Sequence, residues 1–572
     1  MSAAAGIPAQ LLDLLAVFIL AAGVGIFVAK VGSFPYTIAL LVAGLTASIV
    51  GIHPGLPISH DLILFVLLPP ILFEGAANTE LEQFRRNLVP IVSLAVVGLL
   101  VSVGVLTLLG SQALGVPLLV ALLFAVMILP TDPVSVLALF KELGAPDQLS
   151  VLVEGESLVN DGVGVVLFMT VVDLAVRVET GELARDAVFT LDRAVAVATE
   201  ILVVSLGGLV VGLLAGYTVY RVMYNLDEHM TETVLSLLLA YGAFLLAEHY
   251  LHVSGVIATV VAGLFIGAHG ADEAMSPQTK ISVFNTLETG AFLANTFIFL
   301  MIGITTPIGD LLRYADLIAV AIPLVLLSRA TGLYPVIAVV NRISSSDISL
   351  DYQHVMVWSG LHASIPIALV LGLPPELDAV LRQRLRALVF AVAAFSLLVQ
   401  GLSMKRLLDR LGVVTTSEAQ ELYELLLARR RAVDGALDAA EDLKQRGDIP
   451  GGVYEDFTTE YESERDDLGE AINELLREHP EIRQEQKLAG ERRLLKQEKS
   501  AIMDAIHEGI VSDAAGERLL EEVNIKLDRV RSGETTVEAD EEGYHEFWRD
   551  EAADFGLESV EYPEEEREES GE

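Results

Sequence analysis

The sequence predicts an all-α polytopic membrane protein of about thirteen transmembrane helices, followed by a soluble helical domain. The 572-residue chain is 53% hydrophobic with a positive mean hydropathy, yet its formal net charge is −40. These two properties separate along the chain, because residues 411–572 hold 19 basic and 46 acidic residues, a balance of −27, whereas residues 1–410 are apolar. A single soluble core could not bury so much apolar surface, so the first part is a membrane domain.

The composition also argues against several function classes. A free nucleic-acid-binding protein needs a basic surface, and this chain is acidic. The chain contains no Cys, which excludes disulfides, Cys-ligated iron–sulfur clusters and thiolate zinc sites. It also lacks the glycine-rich P-loop motif of nucleotide-binding proteins. We therefore expect no cofactor.

Residues 1–410 consist of apolar segments separated by short polar breaks, and most have the ~17–25 residues needed to cross a bilayer as a helix. The segments are 11–29, 34–52, 61–77, 88–110, 116–140, 150–176, 194–224, 231–250, 254–270, 285–305, 316–340, 353–372 and 384–404. A cleaved signal peptide fits poorly, because Met1–Leu12 contains no Lys or Arg.

Basic residues orient these segments in the membrane. The loops on one side are richer in them, and they hold Lys30, Arg85, Arg86, Lys141, Arg221, Lys280, Arg342, Lys405, Arg406 and Arg410. Short loops rich in Lys and Arg face the cytoplasm. The C-terminal part is on the same side, so it is predicted to be cytoplasmic in a protein of the cell membrane.

Thirteen segments allow two six-helix repeats, joined by the seventh segment. An odd connector inverts the second repeat in the membrane, which is a common plan among transporters. The fifth segment contains LPTDP at 129–133, and the twelfth contains GLHASIP at 360–366. Prolines and polar residues at this depth predict broken, crossing helices whose free backbone groups face a cavity, with two ordinary kinked helices as the alternative.

Carboxylates inside apolar segments are the candidate functional groups, because a lone charge there costs several kcal/mol. The candidates are Glu74, Asp132, Glu154, Glu156 and Asp161. In the sixth segment, positions 154, 157 and 161 lie on one helix face, and positions 156 and 160 lie on the adjoining face. This polar stripe of Glu154, Glu156, Ser157, Asn160 and Asp161 predicts a site or pathway rather than a lipid-facing surface.

Three further polar residues lie in later segments. Arg329 is the only basic residue deep in a segment, and we expect it to pair with Glu156, since an unpaired buried charge is strongly destabilising. Glu288 and Asn295 lie seven positions apart in the tenth segment, so both can face the interior. An ion path and simple packing are equally good interpretations of this pair.

Several of these elements, in this order, resemble the signature of NhaP-type sodium/proton antiporters of the cation:proton antiporter 1 family. They are Thr131-Asp132-Pro133, ESLVND at 156–161, LPPILFE at 68–74, and Ala247-Glu248 followed by VSGV at 253–256. Arg329 and the segment 358–371 also match in character. The resemblance covers residues 10–410.

The resemblance implies roles for individual residues. Asp161 would bind either the cation or a proton, and Glu74, the Thr131 carbonyl and Ser157 would complete an oxygen shell for Na⁺. Asn160 before Asp161 marks electroneutral exchange in this family. Asp132 would stabilise the crossing of the broken helices or serve as a second ligand. The family also implies a homodimer.

One position departs from the family. Many relatives have Arg-Gly where this chain has His362-Ala363. A titratable imidazole therefore replaces a permanent charge, and it could be a pH-sensitive element or a neutral hydrogen-bonded side chain.

The C-terminal part is predicted to form a helical domain over residues 411–531. Apolar positions at helical spacing place helices at 417–446, 456–478, 481–510 and 513–531. Acidic residues dominate from 532 to 572, which predicts a disordered tail. Such acidity is typical of proteins from halophilic microbes, and a divalent-cation or regulatory site in the tail is the alternative.

Three function classes fit a membrane protein with buried carboxylates. A secondary antiporter that exchanges Na⁺ for H⁺, in sodium extrusion and pH homeostasis, explains the repeats, the broken helices and the carboxylates together. K⁺/H⁺ exchange stays open, since selectivity among oxygen-ligated cations depends on site size and rigidity. A cation channel would need a filter sequence, which is absent. An intramembrane aspartyl protease using Asp132 and Asp161 would need a Gly-x-Gly-Asp signature, which is also absent, so the protein is not expected to be an enzyme.

Overall fold

A computed structural model describes residues 7–535, apart from 32–34, 52–59, 80, 133, 185–189, 227, 345–347, 363, 414–417, 508–509 and 532–534. The described residues form an all-helical protein. Pro133, Ala363 and, except for Thr535, the acidic tail at 532–572 lie outside them. The chain divides into two compact units, Met1–Thr415 and Thr416–Glu572.

The first half of the membrane unit consists of helices α1 (Ile7–Val31), α2 (Tyr36–Val50), α3 (Leu62–Asn78), α4 (Leu81–Arg86), α5 (Leu88–Ala113), α6 (Leu118–Ile128), α7 (Val134–Leu143), α8 (Asp147–Glu179) and α9 (Leu191–Met223). The second half consists of α10 (His229–Tyr250), α11 (Gly255–Phe265, continued as a π-helix over Ile266–Ala274), α12 (Pro277–Thr305), α13 (Ile308–Arg313), α14 (Ala315–Ile343), α15 (Leu350–Trp358), α16 (Ser364–Leu371) and α17 (Ala379–Leu411). Parts of α3, α5, α10 and α17 are also π-helical.

Among the described residues, eight helices are long and apolar enough to cross a membrane. They are α1, α5, α8, α9, α10, α12, α14 and α17, and four shorter apolar helices, α2, α3, α6 and α11, accompany them. On α9, Leu202, Val203 and Leu206 are 58%, 59% and 52% exposed. An apolar face of this kind suits contact with lipid rather than water.

Both segments with a predicted break are interrupted in the structure. Helix α6 ends at Ile128 and α7 begins at Val134, while α15 ends at Trp358 and α16 begins at Ser364. We call the stretch 129–133 the first break and 359–363 the second break. The amide of Asp132 donates a 2.8 Å hydrogen bond to the Leu361 carbonyl. The two breaks therefore meet, and the prediction of broken helices at both segments is confirmed.

Two glycines allow close packing at this crossing. Gly164 of α8 lies directly against the ring of Pro130, and Gly360 lies directly against the guanidinium of Arg329, so that a Cβ at either position would clash. Helix α8 itself packs against α5, α6, α9 and α11, and it is buried along most of its length. The crossing of the breaks is thereby fixed against the central helix of the unit.

The second unit contains α18 (Glu418–Arg446), α19 (Gly451–Glu478), α20 (Pro480–His507) and α21 (Asp513–Arg531), which pack as the pairs α18/α19 and α20/α21. Helix α19 begins at Gly451 instead of the predicted 456, because Pro450, which has no N–H to leave unpaired, suits a helix start. Arg429 donates two hydrogen bonds to Glu464, at 2.6 and 3.0 Å. These bonds hold the pKa of the Glu464 carboxyl below its usual value.

Candidate functional site

Helix α8 presents its polar stripe to the crossing of the two breaks. Glu156, Ser157, Asn160 and Asp161 are only 4%, 1%, 1% and 5% exposed. Polar side chains buried this deeply need hydrogen-bond partners or a ligand. The partners of these side chains therefore define the site.

Thr131 in the first break is the main partner of α8. The Ser157 hydroxyl donates to the Thr131 carbonyl. The Asn160 amide donates to the Thr131 hydroxyl at 3.0 Å, and its Oδ1 accepts from the Thr131 amide at 3.4 Å. The structure thus brings Thr131, Ser157 and Asn160 together, as three of the predicted site residues.

Asp132 belongs to the contact between the breaks. Its Oδ2 accepts hydrogen bonds from the Ser364 hydroxyl at 2.6 Å and from the Ser364 amide at 3.4 Å. A carboxylate beside the amide groups at a helix start is electrostatically favourable. This geometry fits the expected stabilising role of Asp132 at the crossing.

The expected ion pair between α8 and α14 is present. Arg329 donates to both carboxylate oxygens of Glu156, and also to the Met356 carbonyl at 3.1 Å. The Asn160 amide donates to Glu156 at 3.3 Å. Both charges are thus hydrogen-bonded, as buried charges must be to avoid a large desolvation penalty.

Asp161 differs from its neighbours on α8. Its Oδ1 is buried and has no hydrogen-bond partner among the described residues. The carboxyls of Asp132 and Glu156 are near enough to interact with it electrostatically. A buried carboxylate oxygen without a donor is costly, so this oxygen is available to a proton or to a hard cation.

Glu74 lies on α3, which packs against α11 and α12. Its Oε1 accepts a 2.6 Å hydrogen bond from Asn78, and its carboxyl interacts electrostatically with Glu288 and Glu154. Within the described part of the chain, no hydrogen bond joins Glu74 to Thr131, Ser157 or Asp161. Glu74 thus lies within electrostatic range of two other carboxylates, Glu154 and Glu288.

The remaining predicted residues lie on α12 and in the second break. Glu288 is exposed and interacts with Glu74, whereas the Oδ1 of Asn295 is buried without a hydrogen-bond partner in the described structure. His362 is 1% exposed in the second break.

Ser364 is a site residue that the sequence analysis did not identify. A hydroxyl residue at the start of α16, just before Pro366, was the available signal for a role at the helix end.

Comparison with known proteins identifies the family of the chain. The model of the family described as sodium/hydrogen exchanger, transmembrane, matches residues 15–410. The chain belongs to the sodium/hydrogen exchanger family.

Two curated relatives of this exchanger illustrate the match. The Na(+)/H(+) antiporter NhaG of Bacillus atrophaeus is 33% identical over 527 residues, which cover 89% of this chain and 96% of NhaG. The Na(+)/H(+) antiporter ApNhaP of Aphanothece halophytica is 36% identical over 405 residues, which cover 70% of this chain and 74% of ApNhaP.

A solved structure shares the fold of the exchanger. The sodium proton antiporter MjNhaP1 from Methanocaldococcus jannaschii at pH 8 superposes with a TM-score of 0.57 at 19% sequence identity. The superposition covers 70% of this chain and 99% of MjNhaP1.

The exchanger site offers one set of ligand atoms. The Ser157 hydroxyl meets the Thr131 carbonyl where α8 contacts the first break, and the Asp161 carboxylate lies one turn further along α8. Such oxygens suit hard alkali cations. Among the described residues, no group of three or more His, Cys, Asp or Glu side chains is arranged to hold a metal ion.

Proposed function

We propose that the protein is a secondary active transporter that exchanges Na⁺ for H⁺ across the cell membrane by alternating access. The observation that carries the proposal is Asp161. Its buried Oδ1 has no hydrogen-bond partner among the described residues, and it lies on α8 one turn from the Ser157 hydroxyl that contacts the Thr131 carbonyl. A carboxylate in this setting binds either a proton or a cation, and such competition at one group couples two ions.

The exchange cycle follows from the charge of Asp161. When ionised, Asp161 binds the cation together with Ser157, the Thr131 carbonyl and Glu74. When protonated, it loses its charge and the cation leaves. A rearrangement of the membrane unit then exposes the site, in its cation-bound or its protonated form, to the opposite side of the membrane. Glu74 joins the ligand set by family resemblance, and its carboxyl lies in the neighbouring acidic group with Glu154.

The other polar residues hold the site in place. Asn160 is neutral, and its amide is engaged by Thr131 and Glu156, so it adds no second titrating group beside Asp161. The Glu156–Arg329 pair has no net charge. Asp132 is engaged by Ser364. One titrating carboxylate then serves both ions, and the exchange is electroneutral.

We infer the finer architecture from the order of the apolar segments and from the family resemblance. Thirteen spans form two inverted six-helix repeats, and a core of spans three to six and ten to thirteen moves against the remaining spans. Two copies associate as a homodimer through the remaining spans, a role that the exposed apolar face of α9 suits. Residues 411–531 form a cytoplasmic helical domain, followed by the acidic tail at 532–572.

The proposal is tested by proton flux in proteoliposomes containing the full chain. An imposed Na⁺ gradient should drive proton movement that saturates with Na⁺, and Asp161→Asn liposomes serve as the control. K⁺ and Li⁺ gradients are applied in parallel, and a larger flux with K⁺ than with Na⁺ would favour the K⁺/H⁺ alternative. Cation flux that proceeds without counter-movement of protons would contradict antiport and indicate a channel.

A further inference from the structure

The two peptide groups on either side of Thr131 are each held at both ends. In the first, the Pro130 carbonyl accepts a hydrogen bond from His362 Nδ1 at 3.3 Å, and the Thr131 amide donates to Asn160 at 3.4 Å. In the second, the Thr131 carbonyl accepts from Ser157, and the Asp132 amide donates to the Leu361 carbonyl at 2.8 Å.

These four contacts follow one pattern. Each peptide group has one partner on α8 and one in the second break. A peptide group is planar, so holding its carbonyl and its amide fixes the orientation of the whole unit. The direction of the Thr131 carbonyl therefore depends on the second break as well as on α8. His362 contributes the only side chain among the contacts from the second break, since Leu361 acts through its backbone.

The backbone of His362 is itself anchored. Its amide donates to the Ser396 hydroxyl at 3.1 Å, and that hydroxyl lies 2.9 Å from the Ala393 carbonyl on α17. The ring is 1% exposed. Because a carbonyl oxygen only accepts hydrogen bonds, Nδ1 carries the proton in this contact. The other ring nitrogen, Nε2, has no hydrogen-bond partner among the described residues.

Pro130 also has a close contact with α8. Gly164 of α8 lies directly against the Pro130 ring. Pro130 therefore contacts both α8, through its ring, and the His362 side chain, through its carbonyl. Loss of the His362 ring would release the Pro130 carbonyl while leaving the α8 contacts in place.

We propose that His362 is a positioning residue, whose Nδ1–H holds the Pro130 carbonyl and so aims the neighbouring Thr131 carbonyl at the transported cation. The inference rests on the proposed function, because it takes the Thr131 carbonyl as a cation ligand. It assigns His362 the role of a hydrogen-bond donor, so a side chain with a donor at the same place should replace it.

The test compares three variants in proteoliposomes containing the full chain. His362→Asn places an amide donor close to the position of Nδ1, His362→Gln places it near Nε2, and His362→Leu has no donor. We expect His362→Asn to keep the apparent KM for Na⁺ within about twofold of the original. Loss of a neutral hydrogen bond corresponds to about fivefold, so His362→Gln and His362→Leu should raise KM by about that factor, with a smaller change in maximal rate.

Controls make each outcome decisive. His354 on α15, whose Nδ1 lies 2.7 Å from the Tyr334 hydroxyl, is an exposed histidine outside both breaks, and His354→Leu should leave KM unchanged. If His362→Leu fails to fold, the Asn and Gln variants still decide between the two donor positions. An Asn variant as impaired as the Gln variant would overturn the inference, and so would three variants with unchanged KM.

Two further results separate this inference from its alternatives. A pH profile of the exchange rate that is flattened in His362→Asn relative to the original protein would show that the ring acts by titrating rather than as a fixed hydrogen-bond donor, and it would overturn the inference. Asp161→Asn is measured alongside. Exchange that persists in Asp161→Asn would remove the proposed site itself, whereas loss of exchange there with normal His362 variants would overturn the positioning role alone.

Discussion

Arg329 donates one hydrogen bond to each carboxylate oxygen of Glu156, at 3.1 and 2.8 Å. The two side chains are 9% and 6% exposed, so both charges are largely shielded from bulk solvent. Bidentate geometry of this kind is the strongest form of a carboxylate contact. The pair joins α14 to α8 at the level of the Thr131 contacts.

Removal of one partner should be worse than removal of both. Arg329→Ala leaves the Glu156 charge buried without its partner, and we expect it to lower the free energy of unfolding by about 3–5 kcal/mol. The double variant Glu156→Ala with Arg329→Ala should be more stable than Arg329→Ala alone. Thermal unfolding in detergent compares both variants with the original protein.

The exposed pair Arg177–Asp173 on α8 provides the control. Its atoms lie 3.5 Å apart, and the side chains are 42% and 64% exposed. Arg177→Ala should therefore change the stability by less than about 0.5 kcal/mol. A double variant no more stable than Arg329→Ala would mean that the burial of the Glu156 charge does not govern the loss.

Replacement of Asp161 should separate transport from folding. Asp161→Asn keeps the shape of the side chain but removes the exchangeable charge, so coupled exchange should fall to the level of empty liposomes while the melting temperature stays within a few degrees. Asp173→Asn, an exposed change on the same helix, is the control and should keep full activity. Substantial exchange in Asp161→Asn would move the essential carboxylate to Glu74 or Asp132.

Voltage should have little effect on the exchange rate. One titrating carboxylate exchanges one monovalent cation for one proton, and no net charge crosses the membrane. Each net charge moved would add ~2.3 kcal/mol per 100 mV. The measurement is exchange in proteoliposomes at imposed potentials of either sign. A rate that changes several-fold with the sign would contradict one-for-one exchange and assign a coupling role to Asp132.

Protons should compete with Na⁺ at the site. Only the ionised form of Asp161 binds the cation, so the apparent affinity scales with the ionised fraction. In the pH range where the site is largely protonated, each further unit of acidity should raise the apparent KM for Na⁺ by about tenfold, at constant maximal rate. Flux titrations at a series of pH values measure this. A KM independent of pH across the whole active range would contradict a shared site.

The sequence predicted the two helix breaks and the buried polar stripe of α8 because these signals are local. Prolines at 130 and 366 mark the breaks, and the spacing of Glu156, Asn160 and Asp161 places them on adjoining faces of one helix. The Glu156–Arg329 pair was predictable as well, since each buried charge needs a partner and Arg329 was the one basic candidate.

Other contacts were not predictable from local pattern. Ser364 reaches Asp132 across 232 positions, and only the crossing of two helices in space determines that contact. The association of Glu74 with Glu154 and Glu288 depends in the same way on how α3, α8 and α12 pack. Helix α19 begins at Gly451, five residues before the predicted 456, and the preceding Pro450 favours a helix start there.

The meeting of the two breaks constrains how the chain is made. The ribosome delivers Pro130, Asp132 and Glu156 to the membrane long before their partners exist, since Arg329 follows Glu156 by 173 residues and Ser364 follows Asp132 by 232. Until those partners arrive, the newly inserted helices carry unmatched polar groups in an apolar medium, which is costly. The early helices must therefore stay near water or the insertion machinery during synthesis. Truncated chains that stop before α14 should be recognised as incomplete and degraded.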